Sequence, residues 1–175
     1  MVVKRIQPSL ITAEFFIGSY RISGSFSVHT RSLGDALYDS TTSYLTLADA
    51  YISPIGAPTK ITARQRDAVI VKSAISFALT MTKEDALRRD QRYGSYSGPK
   101  FKPIYLTLPF FELEGLIRLP GRLDPIVLLS SRTEAYLTLI DVTARLSLQP
   151  EITYHGEAAL VNKRLVSMMG VQPHA

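Results

Sequence analysis

The sequence predicts a mainly β protein: two copies of one small unit, each with one short helical turn, joined by a partly helical linker. Two observations predict it. Three sequence blocks recur in the same order at nearly constant offset, and apolar residues alternate with polar ones along several of them.

Tyr44-Leu45-Thr46-Leu47-Ala48-Asp49-Ala50 is echoed by Tyr136-Leu137-Thr138-Leu139-Ile140-Asp141-Val142. Upstream, Tyr20–Val28 matches Phe111–Leu119, and downstream Asp67–Lys72 matches Glu157–Asn162, so the offsets are about 92, 91 and 90 residues. Self-similarity of this kind is read before any single element. It divides the chain into a first β repeat over 1–82, a charged linker over 83–103 and a second β repeat over 104–175.

Each block has a structural reading. Ile22, Gly24, Phe26 and Val28 alternate with Arg21, Ser23, Ser25 and Ser27, and Leu113, Gly115, Ile117 and Leu119 repeat the pattern. Period two is the signature of a half-buried strand. Gly24 and Gly115 sit on the apolar side, where an interior glycine marks a bend or a close backbone approach. Ser32 with Asp35 reads as a helix N-cap pair, and Asp124 with Pro125 as a second solution to the same start signal. A strand follows at Ser43–Ile52 or Ala135–Leu146. Further strands are expected at Lys60–Arg66 and Ala68–Leu79, and at Glu151–Tyr154 and Ala158–Met169, with His155-Gly156 as a turn. Each copy thus supplies about four strands.

Thr82-Lys83-Glu84-Asp85 starts a linker helix expected to reach about Arg92. Residues 83–102 hold six basic against three acidic side chains, the local concentration of a net charge of +5. Arg88, Arg89, Arg92, Lys100 and Lys102 surround Tyr93, Tyr96 and Phe101. Cations that follow phosphates beside rings that stack on bases suit single-stranded nucleic acid. The competing and favoured reading is a solvated connecting helix and a loop that covers a sheet edge, because Glu84, Asp85 and Asp90 dilute the charge.

Composition narrows the function classes. With no cysteine, disulfides, thiolate zinc sites and cysteine nucleophiles are excluded, and a reducing cytoplasm is the simplest location. No apolar run reaches the length of a membrane helix, so membrane insertion is not expected. The three histidines have no carboxylate at metal-ligand spacing, and neither a nucleophile elbow nor a phosphate loop occurs. No catalytic residue, metal or cofactor is expected. Asp49 and Asp141, each after Tyr-Leu-Thr-Leu, could form a carboxylate pair. The favoured reading is that each bulges its strand by bonding local backbone amides.

The stretches Tyr44–Ile52 with Asp67–Ala78, and Tyr136–Thr143 with Glu157–Ser167, resemble the strand pattern of Sm-like and other SH3-like small barrels. They are also similar to small bacterial domains whose copies carry a Leu-Thr-Asp stretch followed by a Leu-Val-Asn-Lys stretch and a further apolar pair. The resemblance implies two tandem small barrels and assembly through edge strands. The Asp-x-x-x-Asn nucleotide loop of that family is absent from His29–Ser43, and its Arg-Gly pair is replaced by Lys72-Ser73 and Asn162-Lys163. The expected function is a non-enzymatic assembly or interaction subunit, with a homo-oligomer or protein partner. The alternative is nucleic-acid binding through the linker.

Overall fold

The computed structural model describes residues 9–28, 32–93, 100–119, 121–132 and 134–171. The chain is mainly β, as expected, but its strands form one continuous antiparallel sheet instead of two separate barrels. The order across its ten strands is β10-β6-β7-β8-β9-β5-β1-β2-β3-β4. A twisted sheet this wide must curl to bury its faces.

The first half contains β1 (Ser9–Ile17), β2 (Tyr20–Val28), α1 (Leu33–Tyr38), β3 (Tyr44–Pro54), β4 (Ala63–Val71) and β5 (Phe77–Thr80). After the short helices α2 (Lys83–Ala86) and α3 (Arg89–Tyr93), the second half contains β6 (Lys100–Leu108), β7 (Phe111–Leu119), α4 (Pro125–Ser130), β8 (Tyr136–Leu146), β9 (Gln149–Asn162) and β10 (Met168–Val171). A 3₁₀ turn, Lys72–Ala74 or Lys163–Leu165, separates the last two strands of each half.

Each half has five strands where the sequence suggested four. The sequence reading left out β1, whose Phe15 and Phe16 are both fully buried, one in each of the two cores. β6 begins inside the expected linker. Its Pro103, which has no N–H to give, pairs opposite Leu116 and lies outside the described β10–β6 pairing, which ends at Ile104.

Two expected strand breaks also move. Ala63–Val71 runs straight through Asp67, and Gln149–Asn162 runs straight through His155-Gly156; the chain turns instead at the two 3₁₀ corners. Gly156 is not a turn residue. A Cβ there would sit 3.0 Å from the Thr80 carbonyl oxygen, so the glycine permits β9 to approach β5.

The helix starts match their sequence signals. Ser32 Oγ accepts from the Asp35 amide at 3.1 Å, and the Asp35 carboxylate accepts from the Ser32 amide at 3.2 Å. Asp124 accepts from the amides of Ile126 and Val127. The linker helix is broken into α2 and α3, because Leu87 is extended and the Arg88 amide is held by the Gln91 side chain at 3.0 Å.

One core gathers Ile11, Phe15, Phe26, Leu33, Leu47 and their neighbours; the other gathers Leu106, Phe111, Leu113, Leu139 and theirs. The halves exchange side chains. Phe16, Phe77 and Leu79 of the first half lie in the second core, while Tyr136 and Leu160 of the second half lie in the first.

Candidate functional site: the strand junction and the open edges

The bend residues work as pairs. Ser23 faces Tyr51 and Ser25 faces Ala48, so Gly24 alone opposes Asp49 and Ala50. Likewise Gly115 alone opposes Asp141 and Val142. Two residues against one is a β-bulge, which kinks the strand and tightens its twist. Asp49 and Asp141 take the left-handed backbone at φ 49° and 52°, which Asp tolerates better than most side chains. A Cβ on Gly24 would stand 3.0 Å from Leu47 Cδ1, and one on Gly115 3.1 Å from Val142 Cγ2. Both carboxylates are exposed; Asp49 pairs with Arg64 at 3.2 Å and Asp141 with Lys83 at 3.8 Å. They lie in separate halves at bends and are not brought together as a catalytic pair.

The linker residues divide. The Arg88 guanidinium lies 4.0 Å over the Tyr38 ring and pairs with Glu134 at 3.1 Å. Lys102 is buried on β6 and donates to the Gly121 carbonyl. Both cations are thus engaged within the chain, whereas the Arg89 side chain is exposed. The side chains of Arg92, Tyr93 and Lys100, and all of Tyr96, lie outside the described residues.

The halves meet where β5 pairs with β9, Phe77 opposite Val161, Ala78 opposite Leu160, Leu79 opposite Ala159 and Thr80 opposite Ala158. At this junction Phe77 stacks on Phe16 with ring centres 4.3 Å apart, and Phe111 meets both rings edge-on. Tyr136 donates its hydroxyl to the Lys72 carbonyl, Tyr38 donates to the Tyr136 carbonyl at 2.6 Å, and Tyr154 donates to the Ile55 carbonyl at 2.8 Å. The Asn162 amide group donates to the carbonyls of Ser73 and Ile75. Burial pushes the Tyr136 phenol up to about 12, and burial followed by the Glu134 charge does the same to Tyr38. These phenols therefore stay protonated donors. The strap α2 closes the junction: Ala86 packs on Ile140 and Ala158, and its carbonyl lies where a Cβ on Gly34 would be.

Lys72 and Lys163 are buried at the two 3₁₀ corners. Lys72 Nζ donates to the Asp39 carbonyl at 2.9 Å and Lys163 Nζ to the Ser131 carbonyl at 2.9 Å, each at the C-terminal end of its half's helix. Burial lowers both ammonium pKa values.

These contacts put the halves in register. Tyr44 pairs with Val71 as Tyr136 pairs with Asn162. The Ser76 amide donates to Phe16 and the Ser167 amide to Thr107, both at 2.8 Å. Asp67 therefore corresponds to Ala158, one residue from the match expected from sequence, and Lys72 to Lys163.

A shallow cleft of about 200 Å³ lies near Glu14, Leu79, Met81 and His155. Glu14 is already paired with Arg21, and the His155 ring lies between Thr143 and Thr153. Among the described residues no metal-binding cluster occurs, and no helix is long and apolar enough to cross a membrane.

Sequence reasoning missed the junction and the edges it leaves open. The available signal was Phe77-Ala78-Leu79-Thr80, a short segment buried on both faces. Compared with known families, curated proteins and solved structures, the chain finds no match.

Proposed function

We propose that this chain is a non-enzymatic assembly subunit: a duplicated Sm-like or SH3-like β-module whose two copies are fused side by side and which self-associates through its outer strands. The observation that carries the proposal is the β5–β9 junction, where the halves join by strand pairing and exchanged apolar side chains, while among the described residues β4 and β10 each have a strand neighbour on one side only.

An open edge offers free backbone donors and acceptors to another chain. β4 is blunted over part of its length by Arg64, Gln65, Arg66 and Asp67, but its remaining stretch, Ala68-Val69-Ile70-Val71, is apolar, with Val69 and Val71 exposed. On β10, Met168 and Val171 are exposed. Guarding one stretch with charge and leaving the next apolar suits a selective contact. The distinctive polar groups have structural work, in that the aspartates hold bends and the lysines cap helices.

Light scattering coupled to size exclusion tests this over about a hundredfold range of concentration. Masses at multiples of 19.4 kDa are expected. A single-chain mass at every concentration overturns the proposal.

A further inference from the structure

We infer that α4 is a membrane-surface anchor: its exposed apolar side chains rest in a bilayer of anionic lipid while the arginines at its two ends meet the phosphates. The helix reads Pro-Ile-Val-Leu-Leu-Ser and has no buried residue. Leu128 packs against the second core, but Ile126 is 78% exposed, Val127 60% and Leu129 37%. Single apolar residues scattered over a surface are ordinary, whereas three gathered on one short helix mark a contact.

The other half shows that the fold does not require them. Ser32 and Asp124 are the N-caps of α1 and α4, and Asp39 and Ser131 are the C-caps whose carbonyls accept from Lys72 and Lys163. Both ends of the helices thus align at the same offset of 92 residues. Gly34 then corresponds to Ile126, Asp35 to Val127 and Leu37 to Leu129. In the first half Gly34 and Leu37 are buried, and Asp35 completes the capping box. There α2 crosses α1 so closely that the Ala86 carbonyl oxygen lies 2.2 Å from where a Cβ on Gly34 would be. On α4 the Ile126 side chain occupies that space, so a strap like α2 cannot cover this helix in the same way.

Charge identifies the occupant. Arg122 lies two residues before the N-cap and Arg132 directly follows the C-cap, and both are exposed. The bond from Lys163 to the Ser131 carbonyl ties the second 3₁₀ corner to the same helix end, next to the exposed Arg164. The neighbouring acids are engaged: the Asp124 carboxylate accepts from the Ile126 and Val127 amides, and Glu134 pairs with Arg88. An apolar element between cations is how a short segment binds a lipid surface, its side chains reaching about 5–10 Å into the headgroup boundary while the cations stay at the phosphates. Because α4 stands out from the fold and buries nothing, it suits a phase that deforms around it. Its six residues rise about 9 Å along the axis, so the helix lies on the bilayer and does not cross it.

Flotation with vesicles tests the anchor, using an equimolar phosphatidylglycerol–phosphatidylcholine mixture and pure phosphatidylcholine. The wild-type chain is expected to float with the mixed vesicles, less so as salt rises, and only weakly with pure phosphatidylcholine. I126D with V127D, at exposed positions where the circular-dichroism spectrum is kept, should lower partitioning by about tenfold or more. R122Q and R132Q should each lower it about fivefold. I61D removes a 58% exposed isoleucine from the other half and should bind like the wild type. The chain has no tryptophan, so V127W is a lone reporter whose emission should shift to the blue on the mixed vesicles. No flotation at low salt, equal binding to pure phosphatidylcholine, or undiminished binding by I126D with V127D overturns the inference. So does a wild type that ignores vesicles while I126D with V127D lowers its mass in light scattering, since α4 then meets protein instead of lipid. The assembly reading is scored separately, by the wild-type mass without vesicles.

Discussion

Tyr136 on β8 donates its hydroxyl to the Lys72 carbonyl at 2.5 Å, a buried bond between the two halves. The acceptor belongs to the 3₁₀ corner that delivers β5 to β9, so the bond holds the junction where it turns. Loss of a buried donor strands its acceptor, at about 1–3 kcal/mol. Y136F is therefore expected to destabilise the chain by about that amount in urea unfolding. Y44F, at the exposed counterpart, is expected to stay within about 0.5 kcal/mol for the single chain.

Alkaline stability should report the same junction. The folded-state phenols of Tyr136 and Tyr38 are raised from 10.0 to about 12. A raised pKa contributes stability that is whole below pH 10 and is lost as pH climbs through about 12, because the unfolded chain ionises first. Lys72 and Lys163 act in the opposite sense, their lowered values adding stability as pH rises towards 10.5. Urea midpoints should therefore hold or rise slightly up to pH 10 and then fall, and Y136F should flatten the fall.

The bends predict a contrast between backbone and charge. At Asp49 and Asp141 the left-handed backbone disfavours branched side chains, while the carboxylates themselves are exposed. D49G and D141G should change unfolding free energy by less than about 0.5 kcal/mol, and D49V and D141V should cost about 1–2 kcal/mol. G115A should cost about 1–3 kcal/mol, since its new methyl meets the Ile140 carbonyl at 3.2 Å as well as Val142.

The buried lysines give a fourth test. K72M and K163M each keep most of the stem volume but leave a helix-end carbonyl without its donor. Each is expected to lower stability by about 1–3 kcal/mol in thermal or urea unfolding. Arginine should not rescue either site, because a planar fork does not fit a corner built around one ammonium.

Local chemistry determined much of this protein from its sequence. The alternation of Ile22, Gly24 and Phe26 fixes which face of β2 is buried, and Ser32–Asp35 and Asp124–Pro125 start their helices wherever the chain goes. Tyr-Leu-Thr-Leu-x-Asp marks the bends, since a short carboxylate can accept a left-handed backbone. Tertiary structure alone decided the rest. Phe15 and Phe16 are adjacent yet both fully buried, because β1 sends one into each of the two cores. Val161 opposes Phe77 through contacts 84 residues apart in the chain, and nothing in either segment names its partner. Period and capping act over a few residues and are written there. Strand pairing is chosen by whichever edges the folded cores leave free, and it decides both how the halves join and which edges remain open.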